Sequence, residues 1–243
     1  MEISEHSLRA QVAALDEQHR AGMTSLPDDI RALHSETRKF RGAFRPSARR
    51  VAVRRAAAAA GVVTIGSQLL PIASMMPRAF AAEGDAGIAA FAESVELTAV
   101  AAYQAAAGSG LVTTQAVLDA AVAFMGHHQE HGAAFGAAAG DAATGALNQV
   151  LLDALSPALG AAKTENDVLK IAYDLENAAA ATYLFALGAL ESVVALQLTA
   201  SILPVEAQHA VVLGQVIGAD AAGLLPAFET ETGFVDPAKF PVG

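Results

Sequence analysis

Three observations predict an all-α chain folded as an antiparallel four-helix bundle. Alanine, the strongest helix former, dominates a sequence that is 53% hydrophobic and has no cysteine or tryptophan. Two segments beyond residue 85 repeat each other. Threonines and glycines fall where the helices implied by that repeat would begin and end.

The repeat emerges when ELTAVAAYQAAAG (96–108) is laid beside ENAAAATYLFALG (176–188), because Glu, Tyr and the closing Gly align without a gap. HQEHGAAFGAAAG (128–140) laid beside EAQHAVVLGQVIG (206–218) puts His131 on His209, and Gly136 and Gly140 on Gly214 and Gly218. The step from Glu96 to His131 is 35 residues and from Glu176 to His209 it is 33. Residues 86–140 and 165–218 are therefore two copies of one helix–turn–helix unit.

Each element has its own signals. The first helix is expected from about 86 to 107, closed by Gly108-Ser109-Gly110. The second starts with Thr113 or Thr114 as N-cap and ends at Gly140. Thr164 caps the third, with Asp167 completing a capping box, and that helix runs to about Leu187. The fourth spans about 191 to 217, kinked or split by Pro204. Short turns within each copy force antiparallel neighbours, and the 141–163 link supplies one long crossover. Gly136, Gly140, Gly214 and Gly218 permit close packing or end helices. The segments are then a polar N-terminal extension (1–46), a signal-like segment (47–82), the bundle (83–220) and an extended, proline-containing tail (221–243) that wraps the bundle or reaches a partner.

The signal-like segment has three parts in order. Arg49, Arg50, Arg54 and Arg55 form a basic cluster, an apolar run follows over 56–76, and Ala79-Phe80-Ala81 is a small-x-small cleavage pattern. The paired arginines resemble a twin-arginine signal, which exports chains already folded. The expected location is across the cytoplasmic membrane, in the cell envelope or outside it. The alternative is a retained anchor, since 56–76 is long enough to span a bilayer. On this reading the leader is an address, and its His6, His19 and His34 are solvated.

Charge is split between the two parts. Residues 1–78 carry 12 Lys+Arg against 7 Asp+Glu; residues 79–243 carry 3 lysines against 18 acids. So acidic a domain repels nucleic acid and anionic membrane and is compatible with cations, leaving the signal segment as the membrane-facing part. A homo-oligomer or a protein partner is compatible with everything above.

Residues three apart share a helix face, so Glu206 and His209 aim at one point, as do His128 and His131. Glu96 and Glu176 sit among apolar neighbours, where a carboxylate is costly unless paired or bound to a cation. Tyr103 and Tyr183 lie two turns along the same faces and are read as packing residues or hydrogen-bond partners of the glutamates. Glu130 is placed around the ligands rather than among them; His127 is expected to be exposed and incidental, and Glu93 solvated. One Glu from each of two helices, with a Glu-x-x-His from each of the others, is the di-iron or di-manganese carboxylate pattern. Imidazole with carboxylate suits Fe, Mn or Zn.

Over residues 86–218 the sequence resembles the ferritin-like superfamily, specifically exported bacterial ferritin-like domain proteins. The resemblance implies a metal site of Glu96, His128, His131, Glu176, Glu206 and His209, with iron as the first expectation and Mn or Zn as alternatives. His128 departs from the pattern, standing where the family has a bridging Glu. The function implied is an exported metal-dependent oxidoreductase handling iron, oxygen or peroxide. The alternatives are a metal-binding or storage protein without turnover, and a structural, partner-binding bundle with a degenerate site.

Overall fold

The computed structural model describes residues 3–43, 62–65, 68–71, 78–220, 224 and 233–242, with side chains described for 3–32, 84–220, 224 and 233–242. The arginine cluster 49–55, most of the apolar run 56–76, the side chain of His34 and the tail residues 225–232 lie outside the described residues. The described helices are α1 (Glu5–Ala43), α2 (Arg78–Gly108), α3 (Gln115–Ala139), α4 (Gln149–Ala161), α5 (Glu165–Ala189) and α6 (Val193–Val216). A short antiparallel ladder pairs Val62–Ile65 with Gln68–Pro71.

The order of side chains along the helices fixes their directions. One apolar cluster contains Tyr103, Ala120, Phe124, Leu169 and Leu213; a second contains Ala92, Phe135, Ala179, Tyr183 and Ile202. Along α2 and α6 the chain passes from the second cluster to the first, and along α3 and α5 from the first to the second. Adjacent helices are therefore antiparallel, α2 beside α3 and α5 beside α6. Each helix crosses the midpoint between the clusters at its predicted Glu or His. The bundle is thus two apolar layers with one polar layer sandwiched between them.

Local chemistry sets the helix ends. Thr164 and Asp167 form a reciprocal capping box at the start of α5. Thr114 makes no side-chain cap on α3; instead the Glu165 carboxylate accepts from the backbone N–H groups of Thr113 and Thr114 at 2.7 and 2.8 Å, tying the two helix starts together. Gly140 and Gly218 take positive φ, 58° and 72°, where a side chain would be strained. Pro204 neither ends nor splits α6, which continues to Val216. Helix α2 begins earlier than expected, at Arg78, and breaks at Gly84 (φ 65°, ψ −169°) before its bundle portion. Just past that break, Asp85 accepts from the N–H groups of Glu191 and Ser192, fixing the entry to α6.

The crossover helix and the packing of α1 on the bundle were not expected. The crossover holds α4, capped by Asn148, whose side chain accepts from Leu151 N and donates to the carbonyls of Phe240 and Pro241. That bond and Val235 N–H donating to Thr182 Oγ1 lay residues 233–242 along the bundle. On the opposite side, α1 packs across α3 and α6. Its stripe Leu8, Val12, Leu15, Leu26 and Ile30 seats on both apolar clusters. The N-terminal extension is therefore part of the packed structure, which corrects the reading of it as a separate address. Residues 84–108 are long and apolar enough to cross a membrane, yet 83% of their most apolar window is buried among the other helices.

Candidate metal centre

Six side chains meet in the polar layer: Glu96 from α2, His128 and His131 from α3, Glu176 from α5, and Glu206 and His209 from α6. None is more than 1% exposed. Their ligand atoms form two overlapping groups, each within 4.8 Å: Glu96, His128, His131 and Glu206, and His128, Glu176, Glu206 and His209. The spacing that predicted a shared face thus brings all six to one place. Both groups share His128 and Glu206. His128 turns Nδ1 to Glu96 Oε2 at 2.7 Å and Nε2 to Glu176 Oε1 at 3.1 Å. Glu206 turns Oε1 to His131 Nδ1 at 2.7 Å and Oε2 to His209 Nδ1 at 3.5 Å.

The Glu206 contacts are close enough for charges to act, but they are not aligned for hydrogen bonding. Neither carboxylate oxygen of Glu206 has a hydrogen-bond partner, and neither has Nδ1 of His131. A fully buried carboxylate without a donor costs several kcal/mol or more unless a cation meets it. The donor set is nitrogen and oxygen only, which suits Fe, Mn or Zn.

Protons balance this layer in the absence of a cation. Burial alone would lower the His128 and His131 pKa values, yet the carboxylates around them win: His131 is raised to about 9 and His128 well above its ordinary value. His209 is raised as well, against its own burial, chiefly by Glu176. Burial works to raise Glu96, but its bond to His128 and the nearby His131 bring it down to about 2; Glu176 is depressed in the same way by His128 and His209. The three imidazoles are thus pushed toward their charged form, and Glu96 and Glu176 toward theirs.

The tyrosines crosslink the repeats. Tyr103 donates its hydroxyl proton to Glu176, and Tyr183 donates to Glu96. Burial and the adjacent carboxylates hold both phenols well above their ordinary pKa.

Four sequence expectations are corrected. His127 is 3% exposed, not solvated, and its Nδ1 lies 2.9 Å from His209 Nε2. It does point away from the centre of the four helices, but α1 covers that side. His19, expected to be solvated, is 7% exposed, with Nε2 3.0 Å from His131 Nε2. Its register within the stripe 8, 12, 15, 19, 26, 30 was the signal that could have found it. Glu93 is buried and accepts from the backbone N–H groups of Thr144 and Gly145, so it holds the crossover rather than facing water. Glu130, placed around the ligands, has a side chain 49% exposed and reaches the centre only through His19 Nδ1, 3.5 Å away. Of the other leader histidines, His6 is exposed as expected.

Glycine makes room beside the site. A Cβ on Gly132 would stand 3.4 Å from Glu96 Cβ, and one on Gly136 only 2.5 Å from Glu93 Oε1. A cavity of about 340 Å³ lies between α1 and α6, lined by Leu15, Met23, Leu26, Ile202 and Val205, with His19 and His131 in its wall. It brings open space to an imidazole of the polar layer.

A family model described as a ferritin-like domain matches residues 84–219. No curated protein and no solved structure matches the chain at a significant level.

Proposed function

From the premise that this chain belongs to the ferritin-like domain family, we propose that it is a metal-binding protein whose buried carboxylate–imidazole layer holds two transition-metal ions and handles iron, oxygen or peroxide. The observation that carries this is Glu206, fully buried between two imidazoles with neither oxygen hydrogen-bonded. Glu96 and His131 would hold one ion and Glu176 and His209 the other, with Glu206 and His128 offering an atom to each side. Iron or manganese bound there would supply the electrons for reducing oxygen or peroxide. The chain's own part is to fix the ligands, keep bulk water from the layer and admit small molecules along the cavity beside His131. Tyr103 and Tyr183 orient the two terminal glutamates.

The export signal read at Arg49, Arg50 and 79–81 belongs to this proposal. A route for folded chains carries the bundle whole, and cleavage at 79–81 would part α1 from it, so any part α1 plays in the site belongs to the uncleaved chain.

A second reading is favoured by the pairing within the layer: each of its imidazoles lies against glutamates, which lets the bundle stand without a cation, as a structural or partner-binding protein would. Metal content of the purified chain separates the two. One or two equivalents of Fe, Mn or Zn per chain supports the metal reading, and none after incubation with each ion rejects it. Stopped-flow oxidation of added Fe(II) then distinguishes turnover from storage.

A further inference from the structure

Every imidazole of the polar layer has two nitrogens, and Nδ1 of both His131 and His209 faces carboxylates. The other nitrogen of each is also engaged. His131 Nε2 meets His19 Nε2 at 3.0 Å, and His209 Nε2 meets His127 Nδ1 at 2.9 Å. Each outer imidazole in turn reaches a carboxylate nearer the surface. His19 Nδ1 lies 3.5 Å from Glu130 Oε2, and His127 Nε2 lies 3.4 Å from Asp16 Oδ1. His19 and His127 stack on each other, centroids 3.9 Å apart and rings 18° from parallel. Two of these residues, Asp16 and His19, come from α1, three positions apart on one face.

We infer that α1 is a working part of the metal centre: His19, and Asp16 acting through His127, are positioning residues that fix the His131 and His209 rings with Nδ1 turned inward. The contacts of His131 Nε2 and His209 Nε2 fit one arrangement of protons. An imidazole that ligates through Nδ1 keeps its proton on Nε2 and must donate from there. His19 and His127 then accept at Nε2 and Nδ1 respectively; His127 donates from Nε2 to Asp16, while His19 Nδ1 faces the Glu130 carboxylate 3.5 Å away without a hydrogen bond. The apolar stripe of α1 supplies the docking energy, and its buried His19 falls at the level of the polar layer. Second partners of this kind set ligand tautomer and ring orientation, and losing one typically costs about 10–100-fold in metal affinity.

The inference rests on the metal reading above, and Co(II) titration of the full chain separates the two. His19→Ala and His127→Ala should each weaken Co(II) binding about 10–100-fold and shift its visible absorption bands. His19→Gln and His127→Gln, whose amides accept and donate, should recover much of both; Asp16→Asn should fall between. Far-ultraviolet circular dichroism of each metal-free variant should match the parent. Alanine variants with parental affinity and spectrum overturn the inference while leaving the metal reading intact, and equal losses in the Ala and Gln variants overturn it in favour of packing alone. A parent chain that takes up no Co(II) removes both.

Discussion

The hydroxyl of Tyr183 donates to the carboxylate of Glu96, 87 residues earlier in the chain, and Tyr103 does the same for Glu176. The tyrosine of each repeat therefore holds the glutamate of the other. Tyr183→Phe keeps the ring against Phe135 but leaves a buried carboxylate oxygen without its donor. The expected cost is about 1–3 kcal/mol in the metal-free chain, read as a lower melting temperature. Because bound metal would satisfy the same oxygen, the loss should shrink on loading. An unchanged melt for the metal-free variant would show that the bond carries no net energy.

Chelation should destabilise a loaded chain. Metal binds the folded state and adds RT ln(1 + [L]/Kd), about 2.7 kcal/mol at a hundred times Kd. The melting temperature should fall on adding chelator and recover on adding excess ion. Identical melts before and after chelation of a chain shown to contain metal would mean that the ion sits outside the buried layer.

Stability of the metal-free chain should peak near neutrality. Glu96, lowered from 4.5 to about 2, contributes stability that is present above pH 4.5 and lost as pH falls toward 2. His131, raised from 6.5 to about 9, contributes stability that is full below pH 6.5 and lost as pH rises through 9. His128 and His209 act in the same direction as His131. His19 and His127 oppose them on the acid side: lowered from 6.5 to about 4 and about 2, they withdraw stability as pH falls below 6.5. The optimum therefore lies near pH 6.5. Metal binding needs the ligand imidazoles unprotonated, so loading should strengthen with pH and carry the stability optimum upward. A metal-free chain whose melting temperature climbs steadily from pH 6 to 9 would contradict the charge balance described here.

Much of the bundle was legible because its repeat leaves Glu96, Tyr103, His131, Glu176, Tyr183 and His209 in matching order, and helix periodicity converts spacing into facing. What escaped depended on long-range packing. A ring about 100° from the ligand direction is exposed on an isolated helix, so His127 looked incidental until α1 was found against it. The same covering helix turns His19 from a polar residue of a leader into a partner of His131. The crossover helix α4 was hidden by Pro157 and a glycine-rich approach, although Asn148 is an ordinary N-cap. Glu93 looked solvated because its partners, the N–H groups of Thr144 and Gly145, lie some fifty residues away and carry no side-chain signal.

Docking of α1 on the bundle also makes a statement about compartments. Gln18 on α1 and Gln208 on α6 line the same cavity. The chain has no cysteine, so Gln18→Cys with Gln208→Cys gives one clean pair. A short bis-maleimide added to intact precursor should join them within one chain, visible after proteolysis between the helices. A membrane crossed by residues 56–76 would place the two cysteines on opposite sides. Absence of the intramolecular product in folded precursor would return α1 to the status of a separate leader.

His128 gives the sharpest test of the centre. It stands where the family pattern has a bridging carboxylate, and it is shared by both ligand groups, one nitrogen toward Glu96 and the other toward Glu176. As an imidazole it adds no negative charge, so two divalent ions would meet only three carboxylates. His128→Glu supplies a fourth anion and two oxygens at the midpoint of the layer. Without metal, the change removes one imidazolium and adds a repelling carboxylate, so the variant should melt well below the parent. With metal, it should bind the second ion at least as tightly as the parent and regain more stability on loading. The two measurements move in opposite directions only if position 128 lies between two cation sites. A variant destabilised in both states, with the second ion lost, would mean that His128 serves the layer as a buried proton carrier and not as a shared ligand.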